Sequence, residues 1–230
     1  MLAFSNDYYG FIFRVTQSVE LFCTYIYLKK VAKVIEENKE YITELDSETG
    51  DGDHWLNMNI GFQKLVEKTG EWKQMNFQEL FQNIAMVLMS AMGGSSGVLY
   101  GSAYLKSSML MKDKEIMDEM LFGEMLLDWA EAIASRGNAK PGYKTMLDAI
   151  YPAANAYQKS LNEGNDIADC LHKMVMAAKQ GADSTREMEA VKGRASYRED
   201  KSVGYLDPGA VTMAMQLECM AECFANCNYN

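Results

Sequence analysis

LFCTYIYLKKVAKVIEENKEYITE, residues 21–44, runs directly into LDSETGDGDH, residues 45–54. In the first part Leu21, Tyr25, Leu28, Val31, Val34 and Ile35 return at three- and four-residue spacing, the period of a helix with one apolar face. The second part breaks that period with Gly50 and Gly52 and gathers Asp46, Asp51 and Asp53. Glycine takes positive φ at little cost, so the backbone can turn the carboxylates toward one point. Carboxylates gathered in this way repel one another, and some protonate unless a cation offsets them. Such hard oxygen donors suit Mg²⁺ before Ca²⁺. An EF-hand is excluded: counting from Asp46, the sixth position is Asp51 rather than Gly and the twelfth is Asn57 rather than Glu. On these residues alone the loop reads either as a cation site or as a solvated acidic turn with Asp53 as N-cap of the next helix.

The same helical period continues to the C-terminus. It predicts further helices over residues 54–69, 77–92, 97–111, 118–135, 144–162, 166–182 and 208–226, the sixth of the eight kinked by Pro152. No segment alternates with period two for long enough to form a strand, so the class is all-α. Short connections between such helices imply antiparallel neighbours. The loops after the first, third, fifth and seventh helices carry the Gly, Asp, Ser and Arg clusters, whereas the others look like plain turns. In an up-and-down array alternate loops lie at the same end, so these four loops are expected to converge on one site.

Each of the remaining loops has a chemistry of its own. Met92-Gly93-Gly94-Ser95-Ser96-Gly97 precedes a helix N-terminus, where free N–H groups, the helix dipole and two hydroxyls suit phosphate oxygens. A serine-capped turn between helices is the plainer reading of the same residues. Ser135-Arg136-Gly137-Asn138-Ala139-Lys140-Pro141-Gly142-Tyr143-Lys144-Thr145-Met146 imitates a P-loop but is not one, because Tyr143 separates Gly142 from Lys144 and no strand precedes it. Met146 there offers soft apolar surface for an adenine ring or for the core. In the last loop Arg194 is a planar fork suited to phosphate, and Asp207-Pro208 reads as an N-cap followed by proline at the first helical position.

Composition narrows the function classes. The chain has 230 residues, 48 % of them hydrophobic, with 18 Met and only three Pro, which suits a helical globular protein. A net charge of −10 argues against nucleic acid and anionic membrane as partners. Five cysteines fit a reducing compartment better than a disulfide framework, and a cytoplasmic location is expected. Cys219, Cys223 and Cys227 share one helical face and read as packing rather than a thiolate metal site. The aromatic N-terminal stretch lacks a basic n-region, which argues against a signal peptide, and no run of about 20 apolar residues suggests a membrane span.

Taken together, the motifs resemble the L subunit of dihydroxyacetone kinase, the nucleotide-binding half of that enzyme. The matching residues are Gly50-Asp51-Gly52-Asp53-His54, Asn57-Met58, Gly93 to Gly97 with Leu99-Tyr100-Gly101, Ser135-Arg136-Gly137, Lys144-Thr145-Met146-Leu147-Asp148, Gly193-Arg194-Ala195-Ser196-Tyr197 and Asp207-Pro208-Gly209-Ala210. They stand in the family's order and spacing from about Leu21 to Phe224. The resemblance implies a closed up-and-down barrel of eight antiparallel helices with a nucleotide, ADP or ATP, at one end. It implies two Mg²⁺ between the phosphates and Asp46, Asp51 and Asp53. Nucleotide contacts carry over to His54, Trp55, Leu56, Asn57, Ser95, Ser96, Gly137, Met146, Arg194, Asp207, Pro208 and Gly209. The implied partners are a K subunit that holds dihydroxyacetone covalently and a phosphotransferase-type M subunit that recharges the ADP. A free-standing L subunit suggests nucleotide kept in place as a coenzyme.

Several positions depart from the family pattern. Trp55 stands where Gly is usual, Ile60 where Arg is common, Tyr143 for Asp and Tyr205 for His. Residues 1–20 are an extension before the nucleotide-binding domain of 21–230, either an extra helix or a homodimer contact. Two other functions stay open: an ATP-dependent kinase subunit for another small carbonyl sugar or acyl substrate, and a regulatory subunit that binds ADP and reports phosphorylation state.

Overall fold

The computed structural model describes residues 23–228, and within them only helices, turns and loops occur. The N-terminal extension, the beginning of the first helix and the side chain of Cys227 lie outside the described residues. Nine α-helices are seen in the described part: α1 (23–37), α2 (Lys39–Thr49), α3 (His54–Lys68), α4 (Phe77–Ala91), α5 (Ser96–Leu110), α6 (Glu119–Gly137), α7 (Leu147–Asn162), α8 (Ile167–Ser184) and α9 (Pro208–Asn228). Short 3₁₀ turns at Thr69–Glu71, Thr185–Glu187 and Arg194–Tyr197 punctuate the connections.

The single helix expected over 21–44 is two helices. Asn38, at φ −102° and ψ 24°, separates α1 from α2. Its side chain donates to the Val34 carbonyl at 2.8 Å, the kind of local bond by which Asn competes with the helix ladder. The Trp55 indole N–H donates to the Ile35 carbonyl at 2.9 Å, and Lys39 lies over its ring. Trp55 therefore packs against the break. The helix resumes and continues to Thr49, so Asp46 lies in its last turn and not in the loop.

Consecutive helices pack on one another from α2 to α9, and α2 also packs on α9. Asn76 and Glu79 form a reciprocal capping box at α4, and Asp118 and Asp166 cap α6 and α8 by accepting the Leu121 and Asp169 N–H groups. The core is rich in aromatics. Tyr104 meets Trp129 edge-on at 4.8 Å, and the Trp129 indole donates to Ser107 Oγ at 2.6 Å. A small apolar cavity of about 90 Å³ lies between the beginnings of α4 and α6 and the end of α9. The loops after α2, α4, α6 and α8 lie at the opposite end. Cys219 and Cys223 are buried free thiols, as packing residues would be, while Cys23 is disulfide-bonded. No helix among the described residues is long and apolar enough to cross a membrane.

Pro152 stays within α7, as its position in the period suggested. Proline has no N–H, so the carbonyl four residues back, that of Asp148, loses its helical partner. Gly181 of α8 occupies the space beside it: an added Cβ would overlap the Asp148 carbonyl oxygen and lie 2.9 Å from Pro152 Cγ. The close approach of α7 and α8 depends on that missing side chain. Gly181→Ala should destabilise the protein by about 1–3 kcal/mol through overpacking, lowering the melting temperature by roughly 2–12 °C at ~2–4 °C per kcal/mol. Thermal unfolding of the variant checks this, and an unchanged midpoint would contradict it.

Candidate functional site

The four special loops do converge. They line one cleft of about 600 Å³, within the range of small-molecule sites. Its walls include Asp46, Asp51, Asp53, His54, Asn57, Ser95, Ser96, Gly137, Met146, Arg194, Asp207, Pro208 and Gly209. Trp55 and Leu56 are the exceptions among the expected contacts. Trp55 is committed to the α1–α2 break, and Leu56, on the next position of α3, is half exposed and outside the cleft lining.

One wall is acidic. Asp46 is buried at the end of α2, Gly52 turns the chain at φ +77°, and Asp53 precedes α3. One oxygen from each of Asp46, Asp51 and Asp53 lies within 4.8 Å of the others. Asp46 Oδ2 accepts the His54 backbone N–H at 2.9 Å, which fixes its orientation. Asp53 occupies the N-cap position of α3, yet its side chain makes no capping bond. Its carboxylate faces the cluster, where Arg194 Nη1 lies 3.4 Å from Oδ2 and also pairs with Asp51. This donor set fits a hard divalent cation, which takes carboxylate oxygens and leaves room for water or phosphate. Burial lowers the His54 pKa, against the opposing pull of Asp46, and the ring nitrogen Nε2 contacts Thr212 Oγ1 at 2.9 Å.

The neighbouring wall is the N-terminus of α5. Ser95, its N-cap residue, makes no side-chain capping bond, so hydroxyl and amide groups are left for a ligand. Asn57 Oδ1 accepts the Gly93 N–H at 3.2 Å and so ties this loop to α3. Gly97 lets α4 and α5 approach, since a Cβ there would lie 2.7 Å from the carbonyl oxygens of Leu88 and Met92. Across the cleft, Val98, Leu99, Ile133, Ala139, Met146 and Leu147 supply an apolar wall suited to a flat ring.

Lys144 of the third loop and Asp148 in the first turn of α7 hold the site together, and neither was assigned a role from sequence. Asp148, buried, accepts the N–H groups of Gly142 and Thr145. Lys144 is buried at φ +59°, and its ammonium donates to the carbonyls of Met188 at 3.3 Å, Tyr205 at 2.7 Å and Ser202. It thereby fixes both ends of the loop that carries Arg194. Tyr143 stacks under Lys140, and Tyr205 under Arg198, so both departures from the family pattern are held by cations of the same loops.

Asp207 closes the floor. It caps α9, accepting the Ala210 N–H at 2.7 Å, while its own N–H donates to Thr185 Oγ1 at 2.9 Å. Burial pushes its pKa up to about 7; Asp148 and Asp46 push the same way, and the Ala210 bond and Lys144 oppose them. The folded protein therefore keeps this proton in a range where the unfolded chain releases it. Stability from the neutral carboxyl is complete below about pH 4 and is lost as pH rises toward 7. Asn caps a helix equally well and does not titrate. Relative to Asp207→Asn, the nucleotide-free wild type should lose a few kcal/mol, about 4 at most, between pH 4 and 7. Denaturant unfolding of both proteins across that range checks it; a constant difference would contradict it.

The chain resembles known proteins in sequence and in fold. The DAK2 domain matches residues 48–222. The chain is 34 % identical over 195 residues to the ADP-binding subunit DhaL of the PEP-dependent dihydroxyacetone kinase of Escherichia coli, covering 85 % of this chain and 93 % of that one. It is 37 % identical over 199 residues to the ADP-binding subunit DhaL of the PTS-dependent dihydroxyacetone kinase of Lactococcus lactis, covering 86 % and 95 %. Human triokinase/FMN cyclase is 31 % identical over 196 residues, which are 85 % of this chain and 34 % of that longer one. In fold, the chain resembles the crystal structure of the dihydroxyacetone kinase of C. freundii in its native form, with a TM-score of 0.66 at 24 % identity, over 87 % of this chain and 34 % of that one. The match of domain, relatives and fold leads to one conclusion: the chain belongs to the DAK2-domain family.

Proposed function

We propose that this chain is the nucleotide-binding, phosphoryl-transferring subunit of a dihydroxyacetone kinase. The observation that carries the reading is the meeting of an acidic triad, a helix N-terminus with free hydroxyls and an apolar wall in one cleft. The relatives of highest identity quoted above are ADP-binding subunits, and a C. freundii kinase with the same fold is described in complex with AMP-PNP and Mg²⁺, at a TM-score of 0.65. On this reading residues 21–230 are the nucleotide-binding domain after an N-terminal extension. Its helices close as an up-and-down barrel of eight, α1 and α2 counting as one, and the packing of α2 on α9 supports closure.

When bound, the nucleotide with two Mg²⁺ supplies the phosphoryl group and neutralises most of its charge. The chain's part is positioning and electrostatics, which is most of what phosphoryl transfer requires. Asp46, Asp51 and Asp53 hold the cations, with His54 fixing Asp46 through its backbone N–H. Ser95, Ser96 and the first amides of α5 hold phosphate oxygens, and Asn57 keeps their loop in place. Arg194 binds phosphate as a charged fork. Met146, with Gly137 beside Leu99, borders the base, and Asp207, Pro208 and Gly209 close the floor. No residue of the cleft is assigned as a catalytic base. The acceptor, dihydroxyacetone, is held by a K subunit docked over the opening, and an M-type phosphocarrier subunit recharges ADP in place. A homodimer contact through the N-terminal extension belongs to the same proposal.

The test is a reconstitution. The purified protein should carry ADP through desalting, and with K subunit, dihydroxyacetone and a phosphorylated carrier it should form triose phosphate, turning over poorly on free ATP. Fast steady turnover on ATP alone, with ADP exchanging in seconds, would instead make it an ordinary ATP-dependent kinase subunit. Bound ligand at about 100 times Kd stabilises by ~2.7 kcal/mol, so a chelator should lower the melting temperature of the loaded protein by roughly 5–10 °C. Asp51→Asn should lose metal-dependent nucleotide retention. Loaded protein that melts at the same temperature with and without chelator would sink the metal assignment.

A further inference from the structure

We propose that Arg194 is a stand-in cation. In the nucleotide-free protein its guanidinium holds the metal-ligand carboxylates Asp51 and Asp53, and nucleotide phosphate draws it off as metal enters. The proposal rests on the reading of the cleft as a metal and nucleotide site, and adds to it an order of events and a coupling between the two ligands.

Arg194 Nη1 pairs with Asp51 and lies 3.4 Å from Asp53 Oδ2, the same two groups that would complete a cation site with Asp46. Among the described residues it is the side chain cation paired with them. Arg198, four residues further on, is committed elsewhere: it forks onto Asp200 at 2.9 and 2.8 Å and donates to the Glu48 carbonyl at 2.9 Å. The loop's ends are fixed by the Lys144 ammonium on Met188, Ser202 and Tyr205. Arg194 itself stands at the tip, directly after Gly193 at φ +69°, with its side chain half exposed. Anchored ends and a solvated tip allow the side chain to exchange partners while the loop stays in place.

The electrostatics give the exchange a direction. A guanidinium and a divalent cation on the same carboxylates repel each other, so each weakens the other's hold. A phosphate at Ser95 and Ser96 offers Arg194 a doubly bonded, charged acceptor. Nucleotide then raises metal affinity twice over, by adding its own oxygens and by removing the competing cation. By linkage metal raises nucleotide affinity by the same factor. Metal alone should bind weakly, and nucleotide alone likewise.

The experiment titrates Mn²⁺ into nucleotide-free protein by calorimetry and follows bound Mn²⁺ by electron paramagnetic resonance, with and without ADP. Arg194→Gln removes the charge and keeps a polar side chain on an exposed tip. For an ion pair this exposed, Mn²⁺ should bind the nucleotide-free variant about two- to fivefold more tightly than wild type. ADP in the presence of Mn²⁺ should bind it roughly tenfold or more weakly, for loss of a charge-assisted bond. Opposite signs are the signature, since a merely structural residue would weaken both. Lys192→Gln, which removes another cation lining the cleft, separates contact from general field and should tighten Mn²⁺ less. Equal Mn²⁺ affinity in wild type and Arg194→Gln, or an equal gain in Lys192→Gln, overturns the stand-in role while leaving the nucleotide site intact. Absence of Mn²⁺ binding by both proteins, with ADP and without, removes the metal reading and the proposal with it.

Discussion

Three carboxylates held within 4.8 Å of one another set the terms for the rest of this molecule. At that separation their repulsion is offset by positive charge or by oriented N–H groups. The fold provides both. α2 runs a turn further than its sequence suggested and delivers Asp46 from a helix end, with the His54 amide aimed at it. The two glycines bring Asp51 and Asp53 round, and Arg194 arrives from about 140 residues further along the chain to pair with them. The carboxylates and the amide come from one stretch, residues 46–54, and Arg194 from a distant loop, and the cleft exists because they meet.

Antiparallel packing explains why they meet. In an array where each helix returns alongside the last, alternate connections share an end, and one end can be specialised without disturbing the other. Here the end away from the cleft is a closed aromatic core, with Tyr104, Trp129 and Phe122 buried. The functional end instead contains buried polar groups, and three of them are matched within the fold. Asp148 receives two loop amides, Lys144 gives its donors to three carbonyls, and Asp207 accepts the Ala210 N–H. A buried ammonium is costly unless paired or fully hydrogen-bonded. Lys144 satisfies that condition only if the loop of residues 188–205 is in place, so the clasp and the loop specify each other.

Much of this was legible in the sequence, because it is written in short-range patterns. The helical period located the helices to within a few residues, and the placing of Gly, Asp, Ser and Arg in alternate loops foretold a single site. The misses have physical causes. The break at Asn38 depends on Trp55, 17 residues away, taking the Ile35 carbonyl, and nothing in the local pattern of α1 announces it. Trp55 and Leu56, which family likeness assigns to the nucleotide, do not line the cleft of the free protein, and the Trp55 indole bonds at the helix break. Lys144 was visible only as part of a false P-loop, since its carbonyl partners lie 44, 58 and 61 residues further along. The raised pKa of Asp207 likewise comes from packing and from Asp148 and Asp46, which no spacing rule brings to its side.

The central claim is that four loops build one metal and nucleotide site around the acidic triad. It is tested most directly by a crystal structure of the protein with ADP and Mn²⁺, using the anomalous signal to locate the metal. The account predicts anomalous peaks in coordination contact with Asp46, Asp51 and Asp53, phosphate oxygens on Ser95 and Ser96, and the base against Met146. Manganese away from the three carboxylates, or ADP outside the cleft, would contradict it.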